Sequence, residues 1–331
     1  MIRLRKNIKI LIKYIIAPVL GLWLFYSLYR QIQDQPDLHH SLQLIKSAPY
    51  GKDAFQFWAV VLLAFVNWGF ESRKWQILLK PIQDVSFFTA YRAVLSGVTF
   101  SLNTPNRMGE YGGRMLYVSE GNKLRSISLS IAGSISQLII TMLMGCIALG
   151  WLIYHANPPA EPFMGLSLFW IKTLFTLSIS TTLIIILFFF RLSWLISLIE
   201  KLPASQKFVY YINVLDEFHP KLLLRLLLLS FFRYIVFVIQ YIFLLQVLHV
   251  DIPYTTSFYL ISILFLVMAI VPSFAIADLG IRGKFSTELF GFYSVNTAGI
   301  IGTTFGIWFI NLFIPALLGS LFILSIKIFK D

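Results

Sequence analysis

Asn103-Thr-Pro105-Asn-Arg107-Met-Gly-Glu110-Tyr-Gly-Gly-Arg114 separates two apolar segments with three charges, one proline and three glycines. An uninterrupted helix cannot run through such a stretch. At membrane depth, broken and charged backbone persists only where protein or a water-filled cavity covers it. At an interface the same composition is an ordinary loop. Both readings stand on the stretch alone, and the rest of the chain decides between them.

The chain has 331 residues, 58% of them hydrophobic and only 13% charged, with a mean hydropathy of +0.78. Soluble domains carry about 25% charged residues, so this is an integral membrane protein. Several apolar runs reach the roughly 20 residues needed to cross a bilayer. The net charge of +12 fits basic cytoplasmic loops and contact with anionic phospholipid headgroups. The basic residues are dispersed through short loops, which argues against nucleic acid as a partner. Cys146 is the only cysteine, and the five histidines show no metal-ligand spacing. No phosphate-binding G-x-x-x-x-G-K-[ST] motif occurs. The expectation is therefore no metal, no cofactor and no nucleotide.

Charge asymmetry orders the spans. Arg3, Arg5, Lys6, Lys9 and Lys13 precede or begin a first span, Ile8–Tyr29, and put the N-terminus in the cytoplasm. A second span, about Ala54–Leu79, ends with Glu71, Arg73, Lys74 and Lys80, read as a cytoplasmic signature, with Trp58, Trp68 and Trp75 as interface anchors. If Ser86–Thr104 spanned the bilayer, Arg107, Arg114, Lys123 and Arg125 would lie outside, against the positive-inside tendency. A re-entrant hairpin, with its tip near Pro105 and residues 109–121 returning, keeps them inside. Small residues from Ser126 to Ser136 predict close helix packing in a long span to Tyr154. Leu166–Phe190 returns inward, and residues 191–220 form a cytoplasmic connector with a surface-lying helix. Lys221–Leu248 then runs outward, with Arg233 deep enough to need a partner or a cavity. A second hairpin follows, with arms at Tyr254–Val271 and Phe285–Tyr293 around a broken stretch from Pro272 to Gly283. The last span, about Thr297–Ile326, leaves the C-terminus in the cytoplasm.

The two broken stretches align. Asp84 precedes Pro105 by 21 residues, as Asp251 precedes Pro272. Beyond the prolines, Glu110-Tyr-Gly-Gly-Arg114 and Asp278-Leu-Gly-Ile-Arg282 share an acid-x-Gly-x-Arg pattern. With the preceding spans running in opposite directions, the repeats are inverted, a recurring transporter plan in which broken helices meet near the midplane. The expected fold is an all-α polytopic membrane protein of about six spanning helices plus two re-entrant hairpins. It forms one integral membrane domain over residues 1–331, with repeats at about 54–154 and 221–326 and the connector at 191–220. An acid and an arginine four residues apart share a helix face and can pair. The glycine two residues after the acid permits close backbone approach. Arg107, Arg114, Arg233 and Arg282 could hold a phosphate, and Glu110 or Asp278 could meet a cationic headgroup. Equally, each acid–Arg pair could serve only to stabilise its own hairpin.

These residues resemble the lysylphosphatidylglycerol synthase transmembrane-region (flippase-like) family. The carriers are Arg73-Lys-Trp75, the stretch Asn103-x-Pro105-x-Arg107-x-Gly-Glu110-x-x-x-Arg114, Gln240-Tyr241, Pro272 and Asp278-Leu-Gly280-x-Arg282. The chain has Ala275-Ile-Ala-Asp278 where that family more often has a Gly-x-Gly-Glu-like stretch. The resemblance implies a multi-pass protein of the bacterial cytoplasmic (inner) membrane, of the phospholipid-translocating type. Together with the charges read from the chain itself, Arg233 among them, it gives an expected substrate-binding set of Asn103, Pro105, Arg107, Glu110, Arg114, Arg233, Asp278 and Arg282, with no catalytic residue among them. Bifunctional members carry an aminoacyl-transfer domain after the membrane part. This chain stops at Asp331, five residues after the last span, and is expected not to make lysylphosphatidylglycerol by itself.

Three functions remain open at the level of sequence. The first is translocation of a phospholipid or lipid-linked headgroup, driven by a gradient, a partner or downhill flow. The second is a membrane-embedded transferase with Glu110 or Asp278 as general base. The third is a non-catalytic partner of a separate lipid or glycan synthase or transferase, docked on residues 191–220. Monomer and homo-oligomer are both open.

Overall fold

A computed structural model describes residues 46–102, 104, 107–154, 167–191, 210–216, 218–271 and 275–325, together with residues 43 and 194, the side chains of 275–277 excepted. The expected first span, most of the connector, Asn103, Pro105 and Pro272 lie outside the described residues. Among the described residues all regular structure is helical. The helices are α1 (Ala54–Leu79), α2 (Phe87–Ser101), α3 (Gly109–Met115), α4 (Lys123–Tyr154), α5 (Leu168–Phe190), α6 (Pro220–Val247), α7 (Tyr254–Ile270), α8 (Ala275–Phe290), α9 (Thr297–Trp308) and α10 (Ile314–Ser325). A π-helical turn, Phe309–Phe313, joins α9 to α10. Five of these segments are long and apolar enough to cross a membrane: α1, Glu120–Tyr154, α5, α6 and Thr297–Ser325. The chain is thus an all-α, multi-pass membrane protein.

The hairpins follow from local chemistry. The Ser86 hydroxyl caps α2 by accepting from the Thr89 amide at 3.1 Å. With 15 residues, α2 extends about 22 Å, short of the roughly 30 Å hydrocarbon core. The chain turns back instead of crossing. Hydrogen bonds bring the first hairpin's two ends together. Gln83 Nε2 donates to the Tyr117 carbonyl (3.3 Å), the Ser119 amide to Gln83 Oε1 (2.9 Å), and Asn122 Nδ2 to the Ile82 carbonyl (2.9 Å). All of this lies beyond the C-terminal end of α1.

The second hairpin closes at the other end. Asn296 Nδ2 donates to the carbonyls of Leu248 (2.9 Å) and His249 (3.1 Å), and His249 Nε2 lies 3.6 Å from Asp53 Oδ2, just before α1. Helices α1 and α6 run antiparallel, with Gln240 Nε2 on the Val60 carbonyl at 2.8 Å and Lys74 Nζ on Ser230 Oγ at 3.3 Å. The two hairpins therefore open at opposite ends of the α1/α6 pair.

Each hairpin packs on the last span of the other half. A Cβ on Gly145 of α4 would lie 2.5 Å from Leu266 Cβ of α7, and one on Gly319 of α10 would overlap the Leu95 carbonyl of α2. Small-residue packing also holds on α4, where Ser126, Ala132, Gly133 and Ser136 are buried, while Ser134 on the opposite face is exposed.

Four expectations need correction. Trp68 and Trp75 are not interface anchors: both are buried, and their indoles donate to the Asn311 carbonyl and to Ser130 Oγ, each at 3.2 Å. Only Trp58 stays exposed. The glycine two residues after Glu110 faces open space, whereas a Cβ on Gly113 would sit 2.5 Å from the Ser96 carbonyl and 2.6 Å from Gly97 Cα. The α2–α3 contact therefore uses the next glycine along. The stretch after Pro272 is not broken through to Gly283, because α8 starts at Ala275 and carries Asp278 and Arg282 on a continuous helix. Finally, Glu71 and Lys74 are not exposed at a cytoplasmic end. They are buried, and Arg73 and Lys80 alone face outward.

Candidate functional site

The burial of Glu71 reorganises the reading of the site. Asn67, Glu71 and Lys74 recur at i, i+4 and i+7 along α1 and so share one face. Glu71 takes three cations from three helices: Lys74 Nζ at 2.9 Å, Arg114 Nη2 of α3 at 2.9 Å and Arg233 Nη1 of α6 at 2.9 Å. Arg114 also pairs with Glu110, one turn earlier on α3. Arg233 is fixed further by Nε donating to Asn67 Oδ1 at 2.7 Å and by the Trp68 ring, 5.0 Å from its guanidinium carbon. A lone charge at this depth is expensive; a carboxylate shared among hydrogen-bonded cations offsets much of that cost. Arg233 is the fourteenth of 28 residues in α6, close to the middle of a spanning helix.

Beside this cluster lies a cavity of about 550 Å³, lined by Arg107, Arg233, Asp278 and Arg282 and by apolar groups that include Phe237, Phe265, Met268 and Leu312. Arg282 meets Asp278 through Nε at 3.2 Å and Nη2 at 3.5 Å. Arg107 has a left-handed backbone, φ 57°, an uncommon conformation for a residue with a side chain. Its side chain is exposed into the cavity, and among the described residues it has no ion pair within 4 Å. The tip of the first hairpin and the returning helix of the second thus face one space. Among the described residues no three His, Cys, Asp or Glu side chains converge as a metal site.

Of the residues singled out from sequence, Arg107, Arg233, Asp278 and Arg282 meet at the cavity, and Glu110 and Arg114 stand behind it on the Glu71 cluster. Asn103 and Pro105 lie outside the described residues. Sequence reasoning missed Asn67, Glu71 and Lys74. The signal was there as a polar stripe at helical spacing inside an apolar span, but proximity to Arg73 and Lys80 made it look like a loop boundary. The Gln240-Tyr241 pair joins helices together: Gln240 ties α6 to α1, and the Tyr241 hydroxyl lies 2.8 Å from Thr304 Oγ1 of α9.

Compared with known families, residues 10–319 match the family model described as lysylphosphatidylglycerol synthase TM region. No curated protein matches the chain.

Proposed function

The chain belongs to the lysylphosphatidylglycerol synthase TM-region family and is a multi-pass membrane protein of lipid metabolism or transport; from that premise we propose that it translocates a lipid with an anionic headgroup across the cytoplasmic membrane, with both termini in the cytoplasm. The observation that carries this reading is the cavity itself. It joins three arginines to apolar walls midway along a spanning helix, and it sits between two hairpins that open at opposite ends of the bundle. Arginines hold phosphate through paired N–H donors, while Phe237, Phe265 and Met268 suit acyl chains. Access from one end and then the other would follow from movement of one hairpin against the other half, as in transporters built on inverted repeats.

The test uses purified protein in liposomes with a fluorescent phospholipid, reading its transfer between leaflets by reduction with dithionite. Translocation should fall at least about tenfold in Arg107→Gln and Arg282→Gln, since each loses a charge-assisted contact with the headgroup. Wild-type rates in both variants, with unchanged elution and melting, would refute the assignment.

A further inference from the structure

The charges around the site can be counted in two layers. Behind the cavity wall, Lys74 and Arg114 face Glu71 and Glu110, joined by the ion pairs described above. That layer is balanced, two against two. At the wall itself, Arg107, Arg233 and Arg282 face one carboxylate, Asp278. Among the described residues that layer is short of two negative charges. The undescribed residues that flank the wall in sequence, Asn103, Pro105, Asn106, Pro272, Ser273 and Phe274, carry no charge.

The deficit cannot be removed by losing protons. Arginine stays protonated in proteins, so the wall cannot neutralise itself as a lysine or histidine site could. Excess positive charge at mid-bilayer depth is costly unless a partner or water meets it. Arg282 and Arg233 already have carboxylate partners within 4 Å, whereas among the described residues Arg107 projects into the cavity with no carboxylate that close. The remaining walls are mostly apolar, with Gln137, Thr141 and Asn311 among them, and Ile270 at the cavity is exposed on the protein's surface.

We infer that the cavity takes a lipid whose headgroup is a dianion, a phosphomonoester or a pyrophosphate ester on an apolar tail, in preference to a singly charged phosphodiester. This rests on the anionic-lipid reading above and narrows it. A phosphomonoester carries about −1.5 to −2 near neutral pH and rises toward −2 above its second pKa of about 6. It therefore matches the two missing charges, where a phosphodiester supplies one. Arg107 is the residue that sets the preference, as the wall cation with no carboxylate within 4 Å among the described residues.

The experiment is native mass spectrometry of the full-length protein released from phosphatidylcholine nanodiscs at pH 8, doped equally with phosphatidic acid and phosphatidylglycerol. Phosphatidic acid should be retained about tenfold over phosphatidylglycerol, the scale of one added charge-assisted contact, and both over phosphatidylcholine. In Arg107→Gln the preference should collapse to about twofold or less, because one missing charge is then matched by a phosphodiester. Among the described residues Arg107 makes no ion pair within 4 Å, so this variant should melt close to wild type. Equal retention of phosphatidic acid and phosphatidylglycerol, both above phosphatidylcholine, would overturn the dianion assignment and leave the anionic-lipid reading standing. Retention of neither would sink both. Displacement of phosphatidic acid by inorganic phosphate at equal concentration would reassign the site to a soluble anion and overturn the lipid-borne part.

Discussion

Glu71 is paired with three cations, each at 2.9 Å. Removing its charge leaves Lys74, Arg114 and Arg233 crowded together with little to offset their repulsion. Glu71→Gln should therefore cost about 3–5 kcal/mol, the range for breaking a buried ion pair from one side. Glu110 is different: its side chain is 23% exposed and, among the described residues, its ion pair is with Arg114, which keeps Glu71. Glu110→Gln should cost about 1 kcal/mol or less after solvent screening. Melting of the two variants in detergent, followed by tryptophan fluorescence, checks the ranking. Comparable losses would mean that the charge cluster is not centred on Glu71. The acid–Arg spacing on α3 was legible in the sequence because both partners lie on one helix. The role of Glu71 was not, because two of its three cations come from residues 43 and 162 positions away.

At the level of elements, the first hairpin depends on how closely α2 and α3 approach. Adjacent glycines give a controlled comparison. Gly113→Ala would press a methyl group onto the Ser96 carbonyl and Gly97 Cα, whereas Gly112→Ala meets nothing within 4 Å. The first should destabilise by about 1–3 kcal/mol, as overpacking does. The second should be neutral or stabilising by up to about 1 kcal/mol from helix propensity. The same melting assay reads both, and equal behaviour would contradict the hairpin contact described here. Sequence placed glycine in this hairpin for close approach, but one position early. The difference between residues 112 and 113 is a rotation of about 100° around the helix, which only the docking of α3 on α2 defines.

At the scale of the whole molecule, the two hairpins open at opposite ends, so residues near their mouths should report opposite faces of the membrane. Lys80→Cys and His249→Cys, each in a background where Cys146 is replaced by Ser, should react with a membrane-impermeant maleimide from opposite sides, Lys80→Cys only from the cytoplasm. Cys146 is buried and interferes little either way. Labelling of both from the same side would overturn the proposed topology. The exchange of hairpins, α2 onto α10 and α7 onto α4, makes the halves interdependent. Neither half is expected to hold the cavity alone, because Arg107 comes from one and Asp278 and Arg282 from the other.

Composition alone determined the solvent: with 13% charged residues, this chain can bury its surface only in lipid. Hydropathy picked out the long apolar helices, because helix length and apolarity are local properties set against a bilayer of known thickness. The proline spacing and the shared acid-x-Gly-x-Arg pattern related the two broken stretches before any contact was visible. Tertiary structure decided which charges are buried and which partner each one takes. It moved Glu71 and Lys74 from a supposed loop boundary into the centre of the bundle, and it brought Arg107 to the same cavity as Arg282. Burial depends on what packs against a residue from elsewhere in the chain, and a helix's own sequence leaves its rotation and its neighbours unspecified. The stretch from Asn103 to Arg114 announced a site; where its charges are answered was written by α1, α6 and α8.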